Sequence, residues 1–494
     1  MHTALLLEMA AGAFPDRLAL GPRAEGITFE ELSARARAGA AFLAAQGDGS
    51  IVFLGLNGPA LPTAVFAAGL LARPFAPLNY RLPDADLRRL LARTAPSVAV
   101  VDDDMLGRVE GVDGVALVAR SAFEAACRDP ALRDAAHDPL DPDVAVLLFT
   151  SGTTGEPKAA VLRHANLASY VISTVEFMGA EEGEAALVSV PPYHIAGVSA
   201  VLTGIYGGRR IVHLEAFTPE AWVEAAAAEE ITHAMLVPTM LGRVLDVLEA
   251  TGERLPALRA LSYGGGRMPV TVIRRALDLL PHVDFVNAYG LTETSSTISV
   301  LGPDDHRLAI TMDDPQVQAR LGSVGRPLPS VEIQIRGPAG EVLGPGEAGE
   351  VYVRGEQVSG EYLGRKVTDD DGWFATKDSG WIDAEGYLFL EGRLDDVIVR
   401  GGENISPGEI EDVLRTHPAV ADVAVVGAPD EQWGERVAAV VVPRGAAPPE
   451  AELADWVRAK LRSTKTPETW VFREELPYND TGKLLRRVLK AELG

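Results

Sequence analysis

The sequence predicts an α/β protein. A large, multi-subdomain N-terminal part with layered α/β sheets and a small β-rich subdomain is followed by a hinged, small α+β C-terminal domain. Three observations carry this. Short Val-, Ile- and Leu-rich runs alternate with helical patterns through most of the chain, the sign of buried parallel strands joined by helices. Beyond about Gly325, alternating strands with Gly and Pro turns take over. After "GRLDDVIVRGGENISP" the pattern restarts as helix, strand, strand, helix.

Taken in order, "ITFEELSARARAGAAFLAAQG" spaces apolar residues as a helix does, and Thr28 with Glu31 forms a capping-box pattern. "SIVFLGL", "SVAVVDD" and "VAVLLFTSG" read as buried parallel strands. The apolar run from Ala60 to Ala72 carries Pro62 and is too short to span a bilayer, so it reads as a buried helix. From Thr232 to Tyr289 the logic repeats: "THAMLVPT", a helix, "LRALSYGGG", a helix, then "VDFVNAYG". "VEIQIRG", "GEVYVRG" and "GYLFLEGR" form the β-rich piece. The expected division is 1–394 and 395–494, with the hinge at Asp395; a C-terminal domain of roughly 100 residues is an ordinary size.

Bulk properties exclude several classes. A net charge of −25 and a pI near 4.8 argue against nucleic-acid binding, which needs clustered cations. The single cysteine, Cys127, permits no disulfide within the chain, which suits a reducing cytoplasm. The N-terminal "MHTALLLEMAAGAF" lacks a basic start, and Glu8 interrupts its apolar run. Export is therefore not expected. A soluble monomer or homodimer with no membrane span is the expectation.

The chemistry begins at Leu148–Ala160, "LFTSGTTGEPKAA". Glycines let backbone N–H groups turn toward an anion, and Ser151, Thr153 and Thr154 add hydroxyls. This suits the phosphates of a nucleotide; the plain alternative is a Gly/Ser-rich turn. The spacing G-x-x-x-x-G-K-[ST] is absent. "NAYGLTET" (Asn287–Thr294) offers Tyr289 for a base and Glu293 for Mg²⁺, which prefers hard oxygen ligands with phosphate. "TKDSGWID" holds Asp378 in a loop between strands, where a carboxylate can take a ribose diol. Arg393 lies near the expected hinge. "LPYNDTGKLLRR" puts Lys483 after a glycine turn. Each alone also reads as an ordinary turn, linker or solvated lysine.

In this order and at these separations, the set resembles the acyl-adenylating (AMP-forming) superfamily, of the acyl- and aryl-CoA synthetase type. "PLNYRL", "GSVGRPLP" and "GEVYVRG" look like lesser motifs of it. The resemblance implies ATP, Mg²⁺ and CoA as co-substrates and metal. Thr150, Ser151, Gly152, Thr153, Thr154, Gly155 and Lys158 fall on its phosphate loop, with Thr154 and Glu293 toward the metal. Gly264, Gly265, Asn287, Ala288, Tyr289 and Gly290 fall on its adenine side. Thr292 meets the adenylate phosphate, and Asp378 and Arg393 grip the ribose. Lys483 bridges the substrate carboxylate and the α-phosphate. Gly402 faces the site once the small domain has rotated and Lys483 has left, letting a pantetheine arm pass.

The implied reaction joins a carboxylic acid to AMP, releases pyrophosphate, and then passes the acyl group to a thiol. Both first reactants are anionic, so a metal and a fixed ammonium offset their repulsion. Three departures stand out: Lys377 replaces a glycine between Thr376 and Asp378, Ala159 follows Lys158, and "SYGGGRMP" is unusually open. Altered geometry or nucleotide contacts are expected at Lys377. "VPPYHIAGV" is similar to the segment that puts a histidine, here His194, near the carboxylate. Tyr193, Ile195, Val198, Met240, Gly266, Met268 and Ile298 are the candidate acid pocket, pointing to a bulky, largely apolar acid. Core packing is the alternative for its side chains. Arg267 could instead pair a second carboxylate, making the substrate a dicarboxylic acid. A carrier-protein pantetheine is the alternative acceptor to CoA.

Overall fold

The computed structural model describes residues 1–133, 143–150, 157–401, 403–430, 432–478 and 484–493. Among these, the strands form four sheets. The first runs Arg365–Lys366, Glu361–Tyr362, Lys158–Arg163, Val144–Thr150, Phe75–Pro77, Ser50–Leu54, Ser97–Val101, Val115–Ala119. Its last five strands are parallel, as their unbroken apolar runs require. Val144–Thr150 corrects one expectation. It is parallel to Phe75–Pro77 but antiparallel to Lys158–Arg163, with Thr150 opposite Lys158. The short connection between those two strands allows only a hairpin, since a parallel return would need a crossover of a dozen residues or more.

The second sheet has nine strands, and its centre is parallel: Asp284–Leu291, Ala260–Gly264, His233–Leu236, Ala185–Val188 and Arg210–His213. Ser296–Leu301 returns antiparallel against Asp284–Leu291. One large core joins the two sheets through the helices Ala60–Leu70, His164–Thr174 and Ile195–Gly207. Every residue of Ala60–Leu70 is buried, as its all-round apolar sequence demands. Thr28 caps Phe29–Gln46 by accepting from the Glu31 N–H at 3.2 Å.

The β-rich subdomain is a four-stranded antiparallel sheet, Val331–Arg336, Gly349–Gly355, Phe374–Ile382, Leu388–Arg393. Asp378 sits inside its third strand rather than in a loop. A register shift between Ser379 and Gly380 re-aims that strand. The C-terminal part has its own sheet and helices, and its two apolar clusters draw only on residues from Ile398 onward. No helix among the described residues is long and apolar enough to cross a membrane.

Candidate active site

The site collects where the four-stranded sheet meets the end of Asp284–Leu291. Tyr289 donates its hydroxyl to Asp378 Oδ2 at 2.5 Å. Asp378 Oδ1 lies 3.2 Å from Arg393 Nε, its cross-strand partner. Arg393 also donates to Thr376 O at 2.8 Å, and Asp378 N donates to Thr376 Oγ1 at 3.1 Å. Three sequence-predicted residues therefore meet in one network. Burial, then the Asp378 charge, pushes the Tyr289 phenol well up, so it stays a donor. Bonds to a carboxylate contribute about 1.5–3 kcal/mol each when shielded, and only 12% of the Asp378 side chain is exposed.

Lys377 sits between Thr376 and Asp378 at φ +67°. The lysine takes the left-handed conformation that a glycine takes freely. Thr376, 1% exposed and bonded to Val351 O at 2.8 Å, pins the strand from inside.

Asp284–Leu291 carries the other side. Asn287 donates to Ser323 O at 2.9 Å, which fixes the strand before Tyr289. Ala288 pairs with Gly264, and Gly265 has φ +77°. A Cβ on Gly290 would stand 1.7 Å from Ser296 O, so the chain can only fold back there on a glycine. That return places Thr292–Thr294 in a tight turn. Gln357, fully buried, donates to Thr294 O at 3.1 Å and Thr297 O at 2.7 Å and locks it. Glu293 is 8% exposed, and its Oε1 accepts from the Tyr362 hydroxyl at 2.6 Å.

Tyr362 is the residue the sequence reading missed. It pairs with Ala160 beside the Thr150–Lys158 hairpin, and the Lys158 ammonium lies 5.6 Å from its ring centroid. Burial, then Glu293, pushes its phenol up. "GEYLG" has no spacing cue that would have singled it out. Thr150 donates to Lys158 O at 3.4 Å. Ser151, Gly152, Thr153, Thr154, Gly155, Gly402 and Lys483, expected in the site from the sequence, lie outside the described residues.

His194, half-buried, precedes the helix Ile195–Gly207. Ser199 of that helix reaches Ser295 O at 3.5 Å, so the helix lies against the Glu293 turn. Of the pocket candidates, Ile195, Val198 and Ile298 are buried as core. Met268 is 7% exposed within another core. Tyr193 and Met240 are half-buried, and Gly266 is exposed. Arg267 faces Asp412 of the C-terminal part, with Nη2 and Oδ2 2.5 Å apart.

Nucleotide and metal fit this donor set. Among the described residues no group of three or more His, Cys, Asp or Glu could hold a metal unaided. Mg²⁺ held partly through phosphates needs only one or two carboxylates, a number that Glu293 beside the hairpin is able to meet.

Residues 7–363 match the family model described as AMP-binding enzyme, and residues 409–483 match the AMP-binding enzyme C-terminal domain. The chain belongs to the AMP-binding enzyme family. Within that family it is 34% identical to a feruloyl-CoA synthase of Amycolatopsis sp, over 98% of this chain and 99% of that one. It is 32% identical to an indoleacetate–CoA ligase of Aromatoleum aromaticum, over 97% and 95%. Among solved structures it resembles o-succinylbenzoate CoA synthetase (MenE) of Bacillus subtilis in complex with the acyl-adenylate OSB-AMP. There the TM-score is 0.85 and the identity 30%, over 98% of this chain and 97% of that one. The same enzyme with ATP and magnesium ion aligns at TM-score 0.84. The AMP-binding match ends at Tyr362–Leu363, so it spans Tyr289, Glu293 and the hairpin; Asp378 and Arg393 lie between the two matched segments.

Proposed function

We propose that this AMP-binding enzyme is an AMP-forming acid–CoA ligase acting on a bulky, largely apolar acid, with an aryl acid as the first choice. One observation carries the reading: Tyr289, Asp378 and Arg393 form one network, and Tyr362 ties Glu293 to the hairpin that carries Lys158. A ribose grip and a phosphate-side carboxylate are thus brought together by three different sheets.

In the first half-reaction a carboxylate oxygen of the acid attacks the α-phosphorus of ATP, and the bond to pyrophosphate breaks. Arg393 and Asp378 hold the ribose, and Lys158 adds positive charge by the hairpin. Bound Mg²⁺ neutralises phosphate charge; Glu293 and Thr154 are its protein ligands in this reading. Lys483 bridges the carboxylate and the α-phosphate. In the second half-reaction the CoA sulfur attacks the acyl carbon and AMP leaves with the bonding pair. Lys483 must by then have left, which the division at 394/395, the hinge at Asp395 and Gly402 provide for.

The aryl choice rests on the relatives that act on ferulate and indoleacetate and on Tyr193, Met240 and the exposed Gly266, which leaves one wall without a side chain. His194 stands near the acid's carboxylate. Arg267 pairs with Asp412 in this arrangement of the chain, so the dicarboxylate reading is left to the exchange assay below.

The test is ATP–pyrophosphate exchange across aryl, long-chain and dicarboxylic acids, followed by product formation with CoA and with a holo carrier protein. Aryl acids and CoA are expected to win. Preference for a dicarboxylate, or for the carrier protein, would overturn the corresponding part.

A further inference from the structure

Arg267 ends the Gly264–Gly266 wall of the site and reaches Asp412, on the helix Pro407–Arg415. The two side chains come from parts of the chain with separate cores. Asp412 is one corner of a larger charge network. Arg415 lies 3.7 Å from Asp412 Oδ1, 3.8 Å from Glu411 Oε2 and 3.6 Å from Asp422 Oδ1. Tyr478 donates to Asp422 Oδ2 at 2.6 Å. Arg486 holds both oxygens of the buried Glu411, at 2.7 and 2.9 Å, and Glu411 also accepts from Val425 N at 2.8 Å. Arg486 Nε is 3.7 Å from Asp396, and Lys490 donates to Asp395 O at 2.9 Å.

The helix that presents Asp412 is therefore tied to two other places. One is the Asp395–Asp396 segment. The other is the pair of flanks, Tyr478 and Leu484, which bridge each other on either side of residues 479–483. These ties run through Glu411, the one fully buried charge among them, 3% exposed and bonded to Arg486 through both oxygens. The approach is close: a Cβ on Gly408 would stand 2.2 Å from Arg267 Nη1.

We propose that the Arg267–Asp412 pair is a positioning contact that holds the C-terminal domain in one of its two working orientations and is broken and remade in each turnover. This rests on the AMP-forming reading, in which one domain serves two half-reactions in sequence. The strength of the pair suits that task. Its side chains are 39% and 35% exposed, and an ion pair so exposed shifts an equilibrium only a few-fold. A stronger pair would trap one orientation; none would leave it unbiased.

The experiment compares full-length parent, Arg267→Gln, Asp412→Asn, the double variant, Arg267→Lys and Gly408→Ala. ATP–pyrophosphate exchange reads the first half-reaction. Thioester formation from supplied acyl-adenylate and CoA reads the second. Each neutral single variant is expected to change the ratio of the two rates by about three- to fivefold. The double variant is expected to show no more than a single one, since both remove the same contact. Gly408→Ala keeps both charges but forces the end of Arg267 to shift, so its effect should lie between the parent and Arg267→Gln. Arg267→Lys should stay within about twofold of the parent, because it keeps the cation. An unchanged ratio in the single variants, or additive changes in the double, overturns the proposal. A parent with neither half-reaction would instead sink the AMP-forming reading.

Discussion

Tyr362 stands between Glu293 and Lys158. Its hydroxyl gives Glu293 Oε1 a 2.6 Å hydrogen bond, and its ring lies 5.6 Å from the Lys158 ammonium. The Glu293 carboxylate is thus aimed by a side chain on a strand that pairs beside the Thr150–Lys158 hairpin.

Tyr362→Phe removes only that aim. Outer partners of metal ligands are worth about tenfold or more in metal affinity or activity. The variant should need about tenfold more Mg²⁺ for half-maximal pyrophosphate exchange, with the KM of the acid unchanged. An unaltered Mg²⁺ titration would show that Glu293 does not serve the metal through this bond.

Arg393→Gln keeps the size of the side chain but loses the charged contact to Asp378. Charge-assisted bonds to a shielded carboxylate predict a loss of about 1–3 kcal/mol. The KM for ATP should rise about tenfold, and the KM for the acid should hold. Steady-state kinetics with each substrate varied in turn separates the two.

Lys377 sits at φ +67°, exposed, within the strand Phe374–Ile382. Lys377→Gly should be neutral or slightly stabilising. Lys377→Val should destabilise by about 1–2 kcal/mol, because a branched side chain resists the left-handed region most. Thermal melts of both variants decide it. Equal melting points would mean that the left-handed φ carries no cost.

Several histidines held below their ordinary value by burial set a pH dependence, His164 and His213 among them. Burial, then the neighbouring His2, lowers His164 to about 3, and burial, then Arg120, lowers His213 to about 4. Both folded values lie below the unfolded 6.5, so the unfolded chain binds more protons under pH 6.5. Their contribution is intact above pH 6.5 and is lost as pH falls from there toward 4. The slope is about 1.4 kcal/mol per pH unit for each group. Denaturant midpoints between pH 7.5 and 5 should fall accordingly, and His164→Phe should flatten the curve. A flat parent curve would contradict the assignment.

Much of this was legible in the sequence because it is local. Apolar runs gave the strands, Thr28 gave a helix start, and the ordered motifs gave Tyr289, Asp378 and Arg393. What was not legible is what distant segments do to each other. No spacing rule couples Tyr362 to Glu293 or Arg267 to Asp412, since sheet pairing and domain contact bring them together. The strand Val144–Thr150 reads as parallel by composition, yet the hairpin forces one edge antiparallel. Ile195, Val198 and Ile298 show the converse limit: an apolar residue near a motif reads the same as pocket or as core. At Lys377 the sequence shows the departure from glycine but not the left-handed φ that the lysine adopts.

The central claim is that the chain makes an acyl-adenylate with Lys483 as the residue that assembles the reactants. The direct measurement is pyrophosphate release by Lys483→Ala with the preferred acid, beside thioester formation by the same variant from supplied acyl-adenylate and CoA. Pyrophosphate release should fall by a large factor while the second reaction persists. Pyrophosphate release at the parent rate would contradict the account.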